Sequence, residues 1–306
     1  MSCVAATGGT TVAGTPSRFG VSEGMNLREK TVVITGANTG IGRANALALA
    51  ERGVGRLVIA ARSLERTQPV LDQIRAKNPE GKVEFVSLDL SDLASVKKAA
   101  DAILEKDFAI DVLVNNAGIA GVRGQTKDGF ELAFGTNHVG HYLWTERLLP
   151  LVKRAKQGRI VVVASHGHYR AKHGIDWDAV NKPSATFSAF PEYCVSKLAN
   201  VLHASELARR LAGTTVTTYA VHPGGVASDI WKRRMGALAV LLRPLLITNE
   251  EGAKTQLRCE LAPELASETG LYYDKERPRT PSALARDVKL QDELRARSDE
   301  YVAAFL

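Results

Sequence analysis

Tyr193 and Lys197 stand four residues apart in YCVSK, a spacing that sets both side chains on one face of a helix about one turn from each other. Val195, Leu198, Ala199 and Leu202 give the same stretch an apolar stripe for a core. A tyrosine ionises near pH 10, so acid/base work near neutrality requires lowering its pKa by about three units, roughly 4 kcal/mol of preferential phenolate stabilisation. A neighbouring ammonium supplies stabilisation of that kind. The same pair also arises where a snorkelling surface lysine sits beside a packed tyrosine, so the chemistry depends on its company. Ser165 follows a β-branched run at 159–163, where its hydroxyl can hold a substrate oxygen while Tyr193 exchanges the proton. An ordinary turn serine would look the same.

A second constellation points to a dinucleotide. The run TVVIT at 31–35 reads as a strand, TGANTGIG at 35–42 as a glycine turn, and 43–52 as the Ala/Leu-rich start of a helix. Gly36, Gly40 and Gly42, with Asn38, Thr39 and Ile41 between them, would let a pyrophosphate approach the backbone and meet the free N–H groups of the helix start. The spacing departs from GxGxxG, and three glycines also make a plain tight turn; position after the first strand of a βαβαβ run favours the dinucleotide. About 20 residues on, where an NAD enzyme offers a carboxylate to the ribose 2′-hydroxyl, the second strand ends in Arg62. A guanidinium there suits a 2′-phosphate, hence NADP(H), the alternative being a solvated surface arginine beside the next helix. Asp89, ending the third strand, is placed to accept from an adenine amino group or to cap the following helix, a task that suits Ser91 or Asp92 better. The fourth strand ends in Asn115-Asn116-Ala117-Gly118, small residues past which the adenosine ribose and backbone can run closely.

Positioning these groups takes an α/β architecture. Strand-like runs at 57–60, 83–88, 112–114, 159–163, 216–221 and 270–273 alternate with helical stretches at 64–77, 93–106, 130–155, 192–211, 250–261 and 282–304. This predicts a doubly wound Rossmann-type parallel sheet with helices on both faces, and the functional groups fall at its carboxyl edge. The chain has 306 residues, 45% of them apolar, enough for one large core, and no linker or repeat divides it. A single domain over 26–306 is expected, after a flexible Gly/Thr-rich tail at 1–25 without signal-peptide character. The formal charge of +7 is scattered among acids, unlike the basic stripe of a nucleic-acid binder. Cys3, Cys194 and Cys259 are odd in number and widely spaced, which argues against a disulfide framework and for a reducing, cytoplasmic setting.

Three features invite other readings. His166, His168 and His173 cluster after Ser165, yet no acidic or cysteine partner follows at metal-ligand spacing, so no metal is expected and they are read as loop histidines at the substrate mouth. His222 is read as a satisfied core residue. Residues 228–248 are rich in Leu, Val, Ile, Met and Trp, which fits an apolar flap over a lipophilic substrate, packing of a helix pair, or, with Arg233, Arg234 and Arg243, peripheral membrane contact. No run reaches the roughly 20 apolar residues of a membrane span.

Taken together, TGANTGIG at 35–42, Asp89-Leu90, NNAG at 115–118, Asn137 in TNHVGH, Ser165, Tyr193-x-x-x-Lys197 and Pro223-Gly224 resemble the short-chain dehydrogenase/reductase family from about residue 26 to the end of the chain. The phrases FGTNHVGHYL, YCVSKLANVL and YAVHPGGVASDI are most similar to its retinol-dehydrogenase-like and WW-domain-oxidoreductase-like members. The resemblance implies sheet order 3-2-1-4-5-6-7 and a catalytic tetrad of Asn137, Ser165, Tyr193 and Lys197. It further implies that Lys197 binds the nicotinamide ribose, that Asn137 holds a water leading from Lys197 to solvent, and that Leu90, Asn116, Ala117 and Gly118 contact the cofactor. Pro223, Gly224, Val226 and Ser228 would lie along the nicotinamide, Ser228 standing where the family often has threonine. A homodimer or homotetramer through 130–155 and 192–211 is a further implication. The expected activity is NADP(H)-dependent hydride exchange with a small alcohol or carbonyl compound; the rival is an NADPH-binding sensor without turnover, against which the intact Tyr/Lys pair weighs.

Overall fold

The computed structural model describes residues 26–225 and 247–306. The expected tail at 1–25, Val226, Ser228 and nearly all of the 228–248 segment lie outside the described residues.

Eight strands, β1 (Thr31–Thr35), β2 (Arg56–Ala61), β3 (Lys82–Ser87), β4 (Val112–Asn115), β5 (Gly158–Val163), β6 (Val216–His222), β7 (Leu271–Asp274) and β8 (Arg277–Pro278), form one sheet. Their order is β3-β2-β1-β4-β5-β6-β7-β8. All neighbours pair in parallel except β8, which adds a short antiparallel edge to the expected seven-strand order. The central strands β1, β4, β5 and β6 are buried along their whole length, as strands covered on both faces must be. In β1 alternate side chains enter opposite cores, Val33 on one face and Val32 and Ile34 on the other.

The first core is covered by α3 (Leu93–Leu104), α5 (Gly140–Lys153) and α6 (Phe190–Arg210), the second by α1 (Gly40–Glu51), α2 (Leu64–Lys77) and α7 (Asn249–Leu261). Helix boundaries lie within a few residues of the expected ones, with two departures. The stretch expected to be helical from 130 starts as the short α4 (Leu132–Phe134) and widens into a π turn, Gly135–Val139, before α5. The stretch expected as one helix over 282–304 is a 3-10 turn, Leu284–Arg286, and then α8 (Val288–Val302). Asp287 makes that break: its carboxylate accepts from the backbone N–H groups of Lys289 and Leu290 and so starts a new helix.

α8 lies against α5, α6 and the π turn. Tyr142 donates to Asp299 at 2.5 Å, His138 pairs with Ser298 at 2.8 Å and Arg209 donates to Gln291 at 3.0 Å. Part of the surface that the family resemblance assigns to oligomer contacts is thus covered by the chain's own C-terminal helix.

Between α1 and α7 the second core holds buried polar groups. Asn45 donates to Glu260 at 2.6 Å and to Gln256 at 3.3 Å, and Gln256 donates to Asn116 at 3.0 Å, so α1 and α7 are both joined to the end of β4. Glu260 is fully buried, and burial pushes its carboxyl up to about 7. A carboxyl raised in the folded state favours folding while protonated; the contribution is complete below its unfolded pKa and is lost as pH rises toward 7. Glu260→Gln is therefore expected to raise Tm more at pH 8 than at pH 5, measured by scanning calorimetry; an equal change at both pH values would refute the assignment.

Candidate active site

The carboxyl ends of β1, β2, β4, β5 and β6 gather the residues singled out in the sequence. At the end of β1, Gly36 has a φ of +70° and its N–H donates to Ala60 at 2.8 Å, tying the turn to the end of β2. A Cβ on Gly36 would stand 2.8 Å from Cβ of Ala117, and one on Gly42 would stand 2.4 Å from Nδ2 of Asn116. The glycine turn and the NNAG turn therefore pack too closely for side chains. Thr39 is the N-cap of α1 and makes no side-chain capping bond, so the first N–H groups of α1, from Gly40, Ile41 and Gly42, are donors without a cap. Asn38 precedes them, half-buried. A pyrophosphate fits a cradle of this kind, with the positive end of α1 behind it.

Arg62 is exposed one residue past β2 and makes no hydrogen bond or ion pair among the described residues. The cap of α2 is Ser63, whose hydroxyl accepts from the backbone N–H of Arg66 at 3.2 Å. Asp89 uses Oδ1 to accept from the N–H and hydroxyl of Ser91, at 3.0 and 2.7 Å, while Asp92 caps α3. Leu90 is buried beside it. Pro223 and Gly224 follow β6.

Tyr193 and Lys197 share one face near the start of α6. Ala189, in the left-handed region at φ 48°, and Pro191 start this helix, and the Phe190 ring stacks against Tyr193 with centroids 5.9 Å apart. Lys197 is buried, its Nζ 5.8 Å from the Tyr193 ring centroid and 2.7 Å from the carbonyl oxygen of Val163, to which it donates. Asn200 donates to the same oxygen at 3.1 Å. Burial pulls the Lys197 ammonium down to about 7. Ser165, two residues past Val163, accepts from the N–H of Gly167 at 3.1 Å through Oγ, which leaves its proton to be donated. A Cβ on Gly167 would lie 3.3 Å from Cε1 of Tyr193 and 3.5 Å from Oγ of Ser165, so this glycine is the spacer between the two.

Asn137 sits in the π turn, fully buried. Its Oδ1 accepts from Ile119 N–H at 2.8 Å, and its Nδ2 donates to the Ile119 carbonyl and to Ser196 Oγ, each at 2.9 Å. The side-chain amide is thus tied to the Ile119 backbone and to Ser196. A Cβ on Gly118 would stand 3.3 Å from Oδ1 of Asn137 and 3.5 Å from Nζ of Lys197, which brings the NNAG turn, Asn137 and Lys197 to one point.

The histidines differ from expectation. His168 is buried rather than at a mouth: Nδ1 donates to the Ser165 carbonyl at 2.7 Å and Nε2 accepts from Ser282 N–H at 3.2 Å. His166 has an acidic partner after all, Asp274 at 3.0 Å, supplied by β7 and therefore invisible to local spacing. His222 stacks on His166 with centroids 3.9 Å apart, and its Nδ1 is buried without a partner among the described residues, where a satisfied core histidine was expected. His166, His222 and Asp274 bring potential ligand atoms within 4.8 Å of one another. Arg279 donates to Asp274 at 2.6 Å and lies 3.3 Å from His166 Nε2, so a guanidinium already occupies the cation's place in this group. Cys194 is buried and faces Gly167.

Sequence reasoning missed Ser196, Asn200 and the Val163 carbonyl. Only the helical spacing of Ser196 and Asn200 from Tyr193 and Lys197 carried any signal for them.

The chain is similar to known proteins over most of its length. The family model for short chain dehydrogenases matches residues 30–237. Dehydrogenase/reductase SDR family member 13 of Homo sapiens is 42% identical over 254 residues, covering 81% of this chain and 66% of that protein, so the chain spans about two thirds of that relative. Retinol dehydrogenase 12 of Homo sapiens is 40% identical over 275 residues, covering 88% of this chain and 85% of that protein. Among solved structures, an uncharacterized protein from Mycobacterium paratuberculosis superimposes with a TM-score of 0.71 at 33% identity, covering 90% of this chain and 94% of that one. A short chain dehydrogenase from Shigella flexneri, complexed with NADP, shares the fold with a TM-score of 0.67 at 20% identity, covering 82% and 98%. A family model over residues 30–237, relatives at 40% identity across most of the chain and the doubly wound sheet lead to one conclusion: the chain belongs to the short chain dehydrogenase family.

Proposed function

We propose that this protein is an NADP(H)-dependent oxidoreductase that exchanges a hydride with a lipophilic alcohol or carbonyl compound. The observation that carries the reading is the buried Lys197 ammonium on the same helix face as Tyr193, with Ser165 across Gly167. Gly36, Gly40, Gly42 and the N-terminus of α1 would hold the pyrophosphate, and Arg62, free of protein partners among the described residues, the 2′-phosphate. Asp89 retains Oδ2 for an adenine amino group, and the NNAG residues Asn116, Ala117 and Gly118 would line the ribose. When bound, the dinucleotide supplies or accepts the hydride at its nicotinamide.

Ser165 donates its hydroxyl proton to the substrate oxygen and fixes its place. Tyr193 gives its Oη proton to that oxygen during reduction, or removes it during oxidation. Lys197, with one of its three protons spent on Val163, has two left for the ribose hydroxyls and stabilises the phenolate by its charge. Support for a lipophilic substrate comes from the composition of 228–248 and from the name of the related retinol dehydrogenase 12.

Three measurements test this. Tyr193→Phe is expected to abolish NADPH consumption with a panel of aldehydes, ketones and quinones while NADPH affinity stays within a few-fold, since only the transferable proton is lost. Retained kcat would discard the mechanism, and tight NADPH binding without turnover by the native protein would mark a sensor. Arg62→Asp should reverse the preference for NADP(H) over NAD(H), read as the ratio of kcat/KM values; an unchanged ratio removes Arg62 from the site. An anionic ligand beside Lys197 favours its charged form, so NADPH Kd should rise between pH 7 and pH 9 in the native protein and stay level in Lys197→Met. Parallel profiles would show that Lys197 does not face the cofactor.

A further inference from the structure

His141 lies at the junction of the two halves of the proposed site. It is buried on α5, four residues past Asn137. Its Nδ1 is 3.1 Å from the Asn137 main-chain carbonyl and its Nε2 is 2.9 Å from Oγ1 of Thr35, at the end of β1. A carbonyl only accepts, so Nδ1 carries the proton and, in a neutral ring, Nε2 is the acceptor. Thr35 agrees with this assignment from its own side. Its oxygen accepts from the backbone N–H groups of Asn116 and Ala117, both at 3.0 Å, which uses both lone pairs. Its proton must be donated, and the His141 nitrogen is the near acceptor, the Val114 carbonyl being 3.5 Å away. A second proton on His141 would point at an oxygen with no lone pair left.

We propose that His141 is a positioning residue that, in a single neutral tautomer, braces the Asn137 carbonyl against Thr35 and the NNAG turn. The inference rests on the oxidoreductase reading and deepens it. Asn137 and Lys197 meet at Gly118, and Gly118 belongs to the turn that Thr35 suspends. Through His141 the groups that handle the proton and the backbone that would receive the dinucleotide are held in one register. Burial, with the Lys197 charge behind it, keeps the ring neutral against the opposing pull of the Asn137 carbonyl, its pKa lowered to about 3. His138 and His203, from the π turn and α6, are also buried and held neutral, and among the described residues no carboxylate acts on His141.

The first test is nitrogen-15 NMR of the histidine-labelled full chain, with His141 assigned by its loss in His141→Phe or, should that variant not fold, in His141→Gln. A neutral Nδ1–H tautomer that does not titrate between pH 5.5 and pH 9 is expected. The Nε2–H tautomer, or a titration within that range, overturns the proposal. The second test is kinetic. Thr35→Val and His141→Phe should each lower kcat/KM for carbonyl reduction about tenfold or more, Thr35→Ser should recover most of the loss, and the double variant should be no worse than the worse single one. Additive losses, or kcat/KM within twofold of the native value in either single variant, overturn it. A native protein that consumes no NADPH would end the oxidoreductase reading, and the NMR result would still decide the tautomer of His141.

Discussion

A buried ammonium with one acceptor among the described residues governs this structure. Lys197 reaches the carboxyl end of β5 and spends a single proton on the Val163 carbonyl, an oxygen it shares with Asn200. Burial works against its charge, and a cation so placed needs acceptors or anions beyond the one that the described residues give it. Around it stand Tyr193 one helical turn away, Ser165 two residues past Val163, and Gly118, where an added Cβ would come into contact with Nζ. The sheet holds β5 in place between β4 and β6, so the point to which Lys197 is anchored is fixed by hydrogen-bonded strands on both sides.

A second framework is polar and runs behind the first. From Glu260 and Gln256 on α7 it passes through Asn45 on α1 and Asn116 after β4 to the backbone of β1 and the glycine turn. Such groups are costly in a core unless paired, and paired they fix one relative placement of the elements they join. α1, whose N-terminus is the proposed phosphate cradle, is located in this way by directional bonds as well as by apolar contact with α7.

Much of the architecture was readable because periodicity and glycine placement are local. The alternation of strands and helices, the glycine turn and the i, i+4 relation of Tyr193 and Lys197 all follow from neighbouring residues. What escaped was set by distance in the chain. His166 finds Asp274 across 108 positions, and Thr35 finds His141 across 106, relations that no spacing rule can express. The π turn around Asn137 also escaped, because one extra residue per turn barely disturbs an apolar pattern already buried on nearly every side. Asn137 was reached through family resemblance alone, since an asparagine within a helical stretch ordinarily signals a surface or a cap. The break at Asp287 was hidden for the opposite reason: the polar composition around it suits both a helix interior and a cap.

One feature at the edge of the sheet bears on how such a protein diversifies. The chain departs after Gly225 and comes back at Ile247, whose N–H donates to the Gly225 carbonyl at 3.1 Å, while the Ile247 side chain closes on Gly224. Both ends of the intervening stretch are fastened at a single stem. Insertions, deletions or exchanges between those ends leave the pairing of β6 with β7 and the start of α7 where they are. The intervening stretch and the sheet are thereby free to drift at different evolutionary rates, as two modules sharing one clasp.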